Sequence, residues 1–312
     1  MILSVSRRTD IPNYYSEWFY NRIKEGFLYV RNPMNSHQVS RIDLSPEVVD
    51  CIVFWTKNPA SMLERLEELH EYQYYFQFTI TGYGKDIEPN LPDKRNELIG
   101  TFKRLSEKIG RDRVIWRYDP ILINERYSVE YHLKAFDEIA NSLKHHTEKV
   151  IISFVDLYAK TQRNAKGLNI QSLSKEQMVD IAKESAKIAE RNQLVIETCA
   201  EQIDLTNIGI KHGSCIDKKL IEKILGCKLI MERDKNQREE CGCYESVEVG
   251  TYNTCRNGCK YCYANFNNGK VRNSIELYDA NSPLLCGILH SDDRITERKV
   301  KSLKDQQISF WS

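Results

Sequence analysis

Short apolar runs of strand length alternate with longer stretches of helical period through the first two thirds of the chain. Ile2-Leu-Ser-Val-Ser6, Asp50-Cys-Ile-Val-Phe-Trp-Thr56, Tyr74-Tyr-Phe-Gln-Phe-Thr-Ile-Thr81, Arg113-Val-Ile-Trp-Arg-Tyr118, Lys149-Val-Ile-Ile-Ser-Phe-Val155 and Leu194-Val-Ile-Glu-Thr198 are rich in β-branched and aromatic residues, the composition of strands. Between them, residues 14–25, 58–70, 92–109, 129–143 and 174–191 read as helices. Pro59 suits a first helical position, and Ser174-Lys-Glu-Gln177 has the form of a capping box. This alternation is the pattern of parallel βαβ units.

After Cys199 the rhythm breaks. Residues 217–225 read as a short helix and 234–240 as a charged, solvated loop. Ser246-Val-Glu-Val-Gly-Thr-Tyr252 reads as a last strand running into a cysteine-rich loop. No linker or repeat divides the sequence. Residues 1–198 supply β/α barrel units, and 199–312 form a cysteine-rich segment completing the same barrel, a single integrated domain. The expected fold is α/β, a full or partial parallel barrel of TIM type.

Composition narrows the function classes. The 312 residues are 41% hydrophobic and 29% charged, enough to bury a core and too apolar for global disorder. A net charge of +1 offers no basic coat for nucleic acid or an anionic membrane. The first residues lack the apolar core of a signal peptide, and no run is long enough to span a bilayer. A cytoplasmic protein is expected. There, ten cysteines read as metal or redox ligands rather than disulfides. All but Cys51 lie beyond residue 198, a crowding that structural thiols do not require.

Cys255-Arg-Asn-Gly-Cys259-Lys-Tyr-Cys262 carries the sharpest chemistry. Three thiolates on one tight loop can hold three irons of a 4Fe–4S cluster and leave the fourth iron open. Structural zinc usually closes its shell with four ligands from paired cysteines. Zinc and a non-catalytic cluster stand as the rival readings. Cys199, Cys215, Cys241 and Cys243 make a second set of four, the count for a fully ligated auxiliary 4Fe–4S cluster. Structural zinc and free thiols are its rivals. Glycine between Cys241 and Cys243 eases a tight turn. Cys51, Cys227 and Cys286 read as packing thiols.

Polar residues collect where the strands end, the active-site rim of a parallel barrel. Arg7, Arg8, Asp10, Lys57, Arg117, Asp119 and Glu197 are candidate cofactor contacts, each with a rim ion pair as its plain alternative. Tyr158 and Tyr252 are candidate hydrogen-atom shuttles, against a packing role.

The Cys-x3-Cys-x2-Cys spacing with Tyr261 before its last cysteine resembles the radical SAM superfamily, and Cys-Tyr-Cys-Tyr-Ala264 is similar to spore photoproduct lyase. The resemblance implies S-adenosylmethionine (SAM) on the open iron, reductive cleavage to a 5′-deoxyadenosyl radical, and an electron donor such as a flavodoxin or ferredoxin. The substrate stays unnamed; a DNA lesion is implied only by the lyase resemblance. That superfamily carries its cysteine loop near the N-terminus, whereas here it follows residue 250. If the terminal strand pairs beside Ile2–Ser6, the chain is a circularly permuted version of that barrel. Ser6-Arg-Arg-Thr-Asp-Ile-Pro12, Phe54-Trp-Thr-Lys-Asn-Pro59, Trp116-Arg-Tyr-Asp-Pro120, Ile152-Ser-Phe-Val-Asp-Leu-Tyr158, Thr198-Cys-Ala-Glu201 and Cys241-Gly-Cys243 resemble an uncharacterised bacterial family, domain of unknown function 1848. The reading from a different class is a non-catalytic iron–sulfur or zinc protein: an electron carrier, a redox sensor or a nucleic-acid-binding module.

Overall fold

The computed structural model describes residues 1–156 and 159–305; Tyr158 lies outside them. Eleven strands are described: β1 (Ile2–Val5), β2 (Phe27–Arg31), β3 (Gln38–Asp43), β4 (Cys51–Thr56), β5 (Tyr74–Thr79), β6 (Val114–Ile121), β7 (Lys149–Phe154), β8 (Val195–Thr198), β9 (Lys211–His212), β10 (Val247–Glu248) and β11 (Arg294–Glu297). Eight of them form one parallel sheet in the order β10-β1-β4-β5-β6-β7-β8-β9. Each of the six expected strands is present, and from β4 to β9 strands consecutive in the chain lie side by side, as parallel βαβ units place them.

The last strand lies where the cysteine loop requires it. β10 runs parallel to β1, with Leu3 opposite Val247 and Ser4 opposite Glu248. It is only two residues long, so most of the expected 246–252 strand is loop. Pairing among the described residues ends at β9 and β10, and no closed sheet is found. A closed barrel needs a continuous ring of ladder bonds, so the expected TIM-type closure is corrected to an open sheet.

The two faces of the sheet are covered differently. Leu3, Phe54, Phe76, Trp116 and Ile152 pack with helix residues such as Phe19, Leu105, Phe136 and Ile181. Alternate positions point the other way: Ile2, Val53, Tyr75, Ile115 and Ile151 pack with Cys215, Ile216, Ile221, Leu229 and Cys243. The segment after β8 thus folds back over the second face and brings its cysteines to the strand ends. Residues 94–98 form a π-turn that runs into helix Ile99–Ile109. The capping box at Ser174 is present, with reciprocal bonds to Gln177. A three-stranded sheet of β2, β3 and β11 was not anticipated. No described helix is long and apolar enough to cross a membrane.

One buried group makes stability pH-dependent. His132 is 1% exposed. Its Nε2 donates to the Leu122 carbonyl at 2.9 Å and its Nδ1 accepts from the Tyr118 hydroxyl at 2.8 Å, which fixes a neutral imidazole. Burial lowers its pKa to about 4. The unfolded chain, near 6.5, therefore takes up the proton first as pH falls. His132 stabilises the fold fully above pH 6.5, and that contribution drains away down to pH 4. Urea unfolding at pH 7 and pH 5 tests this. The fall in unfolding free energy should be smaller in His132→Gln than in the native chain by about 2 kcal/mol.

Candidate functional site

The cysteine loop leaves β10 and turns back on itself at Gly258. That residue has φ +71°, a left-handed conformation that favours glycine. The loop is held from several sides. Tyr15 donates to the Thr254 carbonyl at 2.6 Å, Asn90 to the Arg256 carbonyl at 2.7 Å and Asn265 to the Cys255 carbonyl at 2.8 Å. The Lys260 amide donates to the Ile87 carbonyl at 3.0 Å. Cys255, Cys259 and Cys262 all face one cavity of about 480 Å³.

Cys199, Cys215, Cys241 and Cys243 line the same cavity. Cys199 follows β8, Cys215 ends the turn after β9, and the Cys-Gly-Cys turn docks onto it. Cys199 Sγ lies 3.4 Å from Cys215 Sγ. Hydrogen bonding continues from Cys215 to Cys243 and from Cys243 to Cys241; it lowers the pKa of Cys199 and Cys243 at the expense of their neighbours. Tyr75 and Gln77 on β5 both donate to the Cys215 carbonyl, at 2.6 and 3.0 Å, so the sheet face fixes this thiol's position. Four soft sulfurs suit an iron–sulfur cluster or zinc. A four-cysteine zinc site sets every sulfur pair roughly 3.8 Å apart. Among the described residues, only His37, Asp292 and Asp293, far from these four cysteines in the chain, bring three ligand atoms within 4.8 Å of one another. The four sulfurs form an open string rather than a zinc-sized tetrahedron.

Gly242 is needed for close approach, not for backbone freedom. A Cβ there would stand 2.7 Å from the Gly213 carbonyl oxygen. Gly242→Ala is expected to push the two cysteine-bearing turns apart and lower metal occupancy of the four-cysteine site several-fold. Metal analysis of the anaerobically reconstituted variant, beside the native chain, checks this.

The predicted rim residues divide. Arg7, Arg8, Asp10, Lys57, Arg117 and Asp119 line the cavity. Asp10 is 4% exposed and accepts four bonds, from Thr56 Oγ1 at 2.7 Å, Lys57 N at 2.8 Å, Asn257 Nδ2 at 3.0 Å and Asn13 N at 3.2 Å. A carboxylate so satisfied ties β1 and β4 to the cysteine loop and has little capacity left for a ligand. Arg117 pairs with Asp119, its Nε 3.0 Å from Oδ2, and Ser153 donates to the same carboxylate. Burial raises the Asp119 pKa, but Arg117 outweighs it and holds the carboxyl below its usual range. Arg8 lies over the Tyr252 ring at 4.8 Å and donates to the Gly250 carbonyl at 3.3 Å. Glu197 is not part of the lining: it pairs with Lys149 at 3.0 Å. Tyr252 is also outside it, stacked near Phe266 with centroids 6.1 Å apart.

Three contributors were missed in the sequence. Glu88 is 1% exposed and bonds Lys57 Nζ at 2.8 Å, Thr81 Oγ1 at 2.9 Å, Lys94 and the Tyr261 hydroxyl. Asn257, inside the cysteine motif, carries the Asp10 contact. Arg238, in the run read as solvated, lines the cavity and pairs with Asp156 at 2.5 Å.

A family model described as Domain of unknown function (DUF1848) matches residues 2–264, so the chain belongs to that family. No curated protein matches. Among solved structures, the chain is similar to a pyruvate carboxylase variant from Rhizobium etli crystallized without acetyl coenzyme A. The identity is 11% and the TM-score 0.30, over 70% of this chain and 24% of that one. The chain thus spans about a quarter of the length of that enzyme.

Proposed function

We propose that this member of the family is a radical SAM enzyme on a circularly permuted β/α barrel left open at β9 and β10. Cys255, Cys259 and Cys262 would hold the SAM-binding 4Fe–4S cluster, and Cys199, Cys215, Cys241 and Cys243 an auxiliary 4Fe–4S cluster. The observation that carries the reading is the shared cavity. One loop offers it three thiols, the other four cysteines are gathered on one another, and the described lining contains no histidine. With Asp10 and Asp119 already bonded to protein groups, the set of three would leave one iron open, and an open iron is what SAM requires. The parallel pairing of β10 with β1 is the second support, because it sets the cysteine loop beside the first strand despite its late place in the sequence.

When bound, the reduced cluster and SAM would supply a 5′-deoxyadenosyl radical that takes hydrogen from substrate. The chain's own residues bind, orient and shield. Arg8 and Lys57 are the cationic groups on the rim suited to the carboxylate of SAM. Glu88 holds Lys57 at the cavity wall, and Tyr261 on the same carboxylate fixes the turn between Cys259 and Cys262. Thr9 Oγ1 is buried without a hydrogen-bond partner and lines the cavity, leaving a donor for a bound group. A flavodoxin or ferredoxin would deliver the electron.

Electron paramagnetic resonance of the anaerobically reconstituted, reduced chain, with and without SAM, tests the proposal. A cluster signal that shifts with SAM, together with 5′-deoxyadenosine in the product, is the expected result. A signal indifferent to SAM would leave an electron carrier or redox sensor. One zinc per chain at the four cysteines would remove the auxiliary cluster.

A further inference from the structure

Two arginines converge on the four-cysteine group and on one tryptophan. Arg117 Nη1 donates to Cys215 Sγ at 2.8 Å and to Gln77 Oε1 at 3.3 Å. Arg7 approaches from β1, with Cys243 and Cys215 among the groups acting on its charge. The two guanidinium carbons lie 5.4 and 5.3 Å from the centroid of the Trp55 ring. Trp55 is itself held by its Nε1 bond to Ser4 Oγ at 3.1 Å. Arg7 Nη2 is buried and has no hydrogen-bond partner. A buried guanidinium N–H without an acceptor is costly, and no carboxylate forms an ion pair with Arg7 among the described residues.

We propose that Arg7 and Arg117, mounted on Trp55, form a cationic clamp that raises the reduction potential of the cluster held by Cys199, Cys215, Cys241 and Cys243. The inference rests on the reading that these cysteines hold an iron–sulfur cluster. Reduction adds negative charge to a group already carrying four thiolates. A fixed positive charge within a few ångströms favours that form, more strongly in a partly desolvated site. The free Arg7 N–H has a natural acceptor in a cluster sulfur, since hydrogen bonds to the sulfurs also tune these potentials. Asp119 opposes the clamp through its pair with Arg117, and Glu248 lies near Arg7, its carboxylate accepting from the Arg7 backbone amide at 3.1 Å. The clamp would make this cluster the readier electron acceptor of the two. The Cys255–Cys262 loop is flanked instead by Lys57, whose charge is offset in part by Glu88, a carboxylate it shares with Lys94.

The test is a potentiometric titration of the full chain carrying Cys255→Ala, Cys259→Ala and Cys262→Ala, so that only the four-cysteine cluster is observed. In that background Arg7→Met and Arg117→Met should each lower the equilibrium constant for reduction by about tenfold or more, or 59 mV per factor of ten for a one-electron couple. Arg117→Lys should recover most of the shift, because it keeps the charge, whereas a purely structural role would not be rescued. Should Arg117→Met shed its cluster, Arg7→Met carries the test, since Arg7 makes no bond to a cysteine. If the triple-cysteine chain does not fold, the same potential is read in the native background from the signal that SAM does not shift. Unchanged potentials with full iron content would overturn the clamp and leave the cluster standing. Absence of iron and sulfide from the parent's four-cysteine site would overturn the cluster, and the clamp with it.

Discussion

Replacing Cys255, Cys259 and Cys262 together by alanine is expected to abolish 5′-deoxyadenosine formation and to halve the iron content, from about eight atoms per chain to about four. The loss should be complete rather than partial, because no other described thiol is placed to substitute. The four remaining cavity cysteines are committed to one another, with Cys215 pinned by Tyr75, Gln77 and Arg117. The fold should survive. The loop is anchored chiefly by its backbone carbonyls and by Asn257; the Cys262 sulfur adds one bond, accepted from the Ala264 amide at 3.3 Å, and the three cysteines are only partly buried. Circular dichroism and urea unfolding of the apo forms should therefore agree with the native chain to within about 1 kcal/mol. Iron, sulfide and product assays read the chemistry separately. Turnover retained by the triple variant would place the radical chemistry elsewhere and end the proposal. Iron lost from both sites at once would mean that the seven cysteines share one centre.

Much of this arrangement could be read from the residues in order, and the exceptions have physical causes. The six strands from Ile2 to Thr198 were legible because a sheet covered on both faces needs long apolar runs. The helices between them announced themselves through caps such as Ser174. The small sheet was not legible. β11 is exposed along its whole length and carries no apolar period to betray it, although the alternation of β2 and β3 offered a hairpin that went unread. The cysteine sets were visible through residue type and spacing. Rim position alone was a poorer guide. Glu197 occupies a strand end like Arg117 and Asp119, yet Lys149 on the neighbouring strand draws it into an ion pair outside the cavity. Arg238 sits in a run of charges that composition assigns to solvent, and only the return of the chain over the sheet brings it to Asp156. Glu88 was invisible for the same reason. A glutamate in a polar loop reads as solvated, and its burial depends on Lys57 and Lys94, 31 and 6 positions away.

Glu88 is therefore the position where a conservative change should cost most. Its side chain is fully enclosed and balances two lysines at once, Lys57 Nζ at 2.8 Å and Lys94 on its other oxygen. Burial alone would raise its pKa; the two ammonium groups outweigh that and hold it at about 2. Glu88→Gln preserves the shape and removes the charge, leaving two ammonium groups in a poorly solvated site. Breaking a buried pair in this way costs about 3–5 kcal/mol, and urea unfolding at pH 7 should show a loss of that size. The pH dependence has a fixed sign. A carboxyl whose pKa lies lower in the fold than in the unfolded chain stabilises fully above about 4.5 and loses its contribution as pH falls toward 2. The gap between native chain and variant should accordingly narrow in acid. Adding Lys94→Met to Glu88→Gln should restore part of the loss, since one stranded charge is removed. The same carboxylate anchors Tyr261 between Cys259 and Cys262, so the variant should also bind iron less tightly at the three-cysteine loop while the four-cysteine site keeps its metal. A Glu88→Gln chain as stable as the native one would show that water, not Glu88, solvates the two lysines.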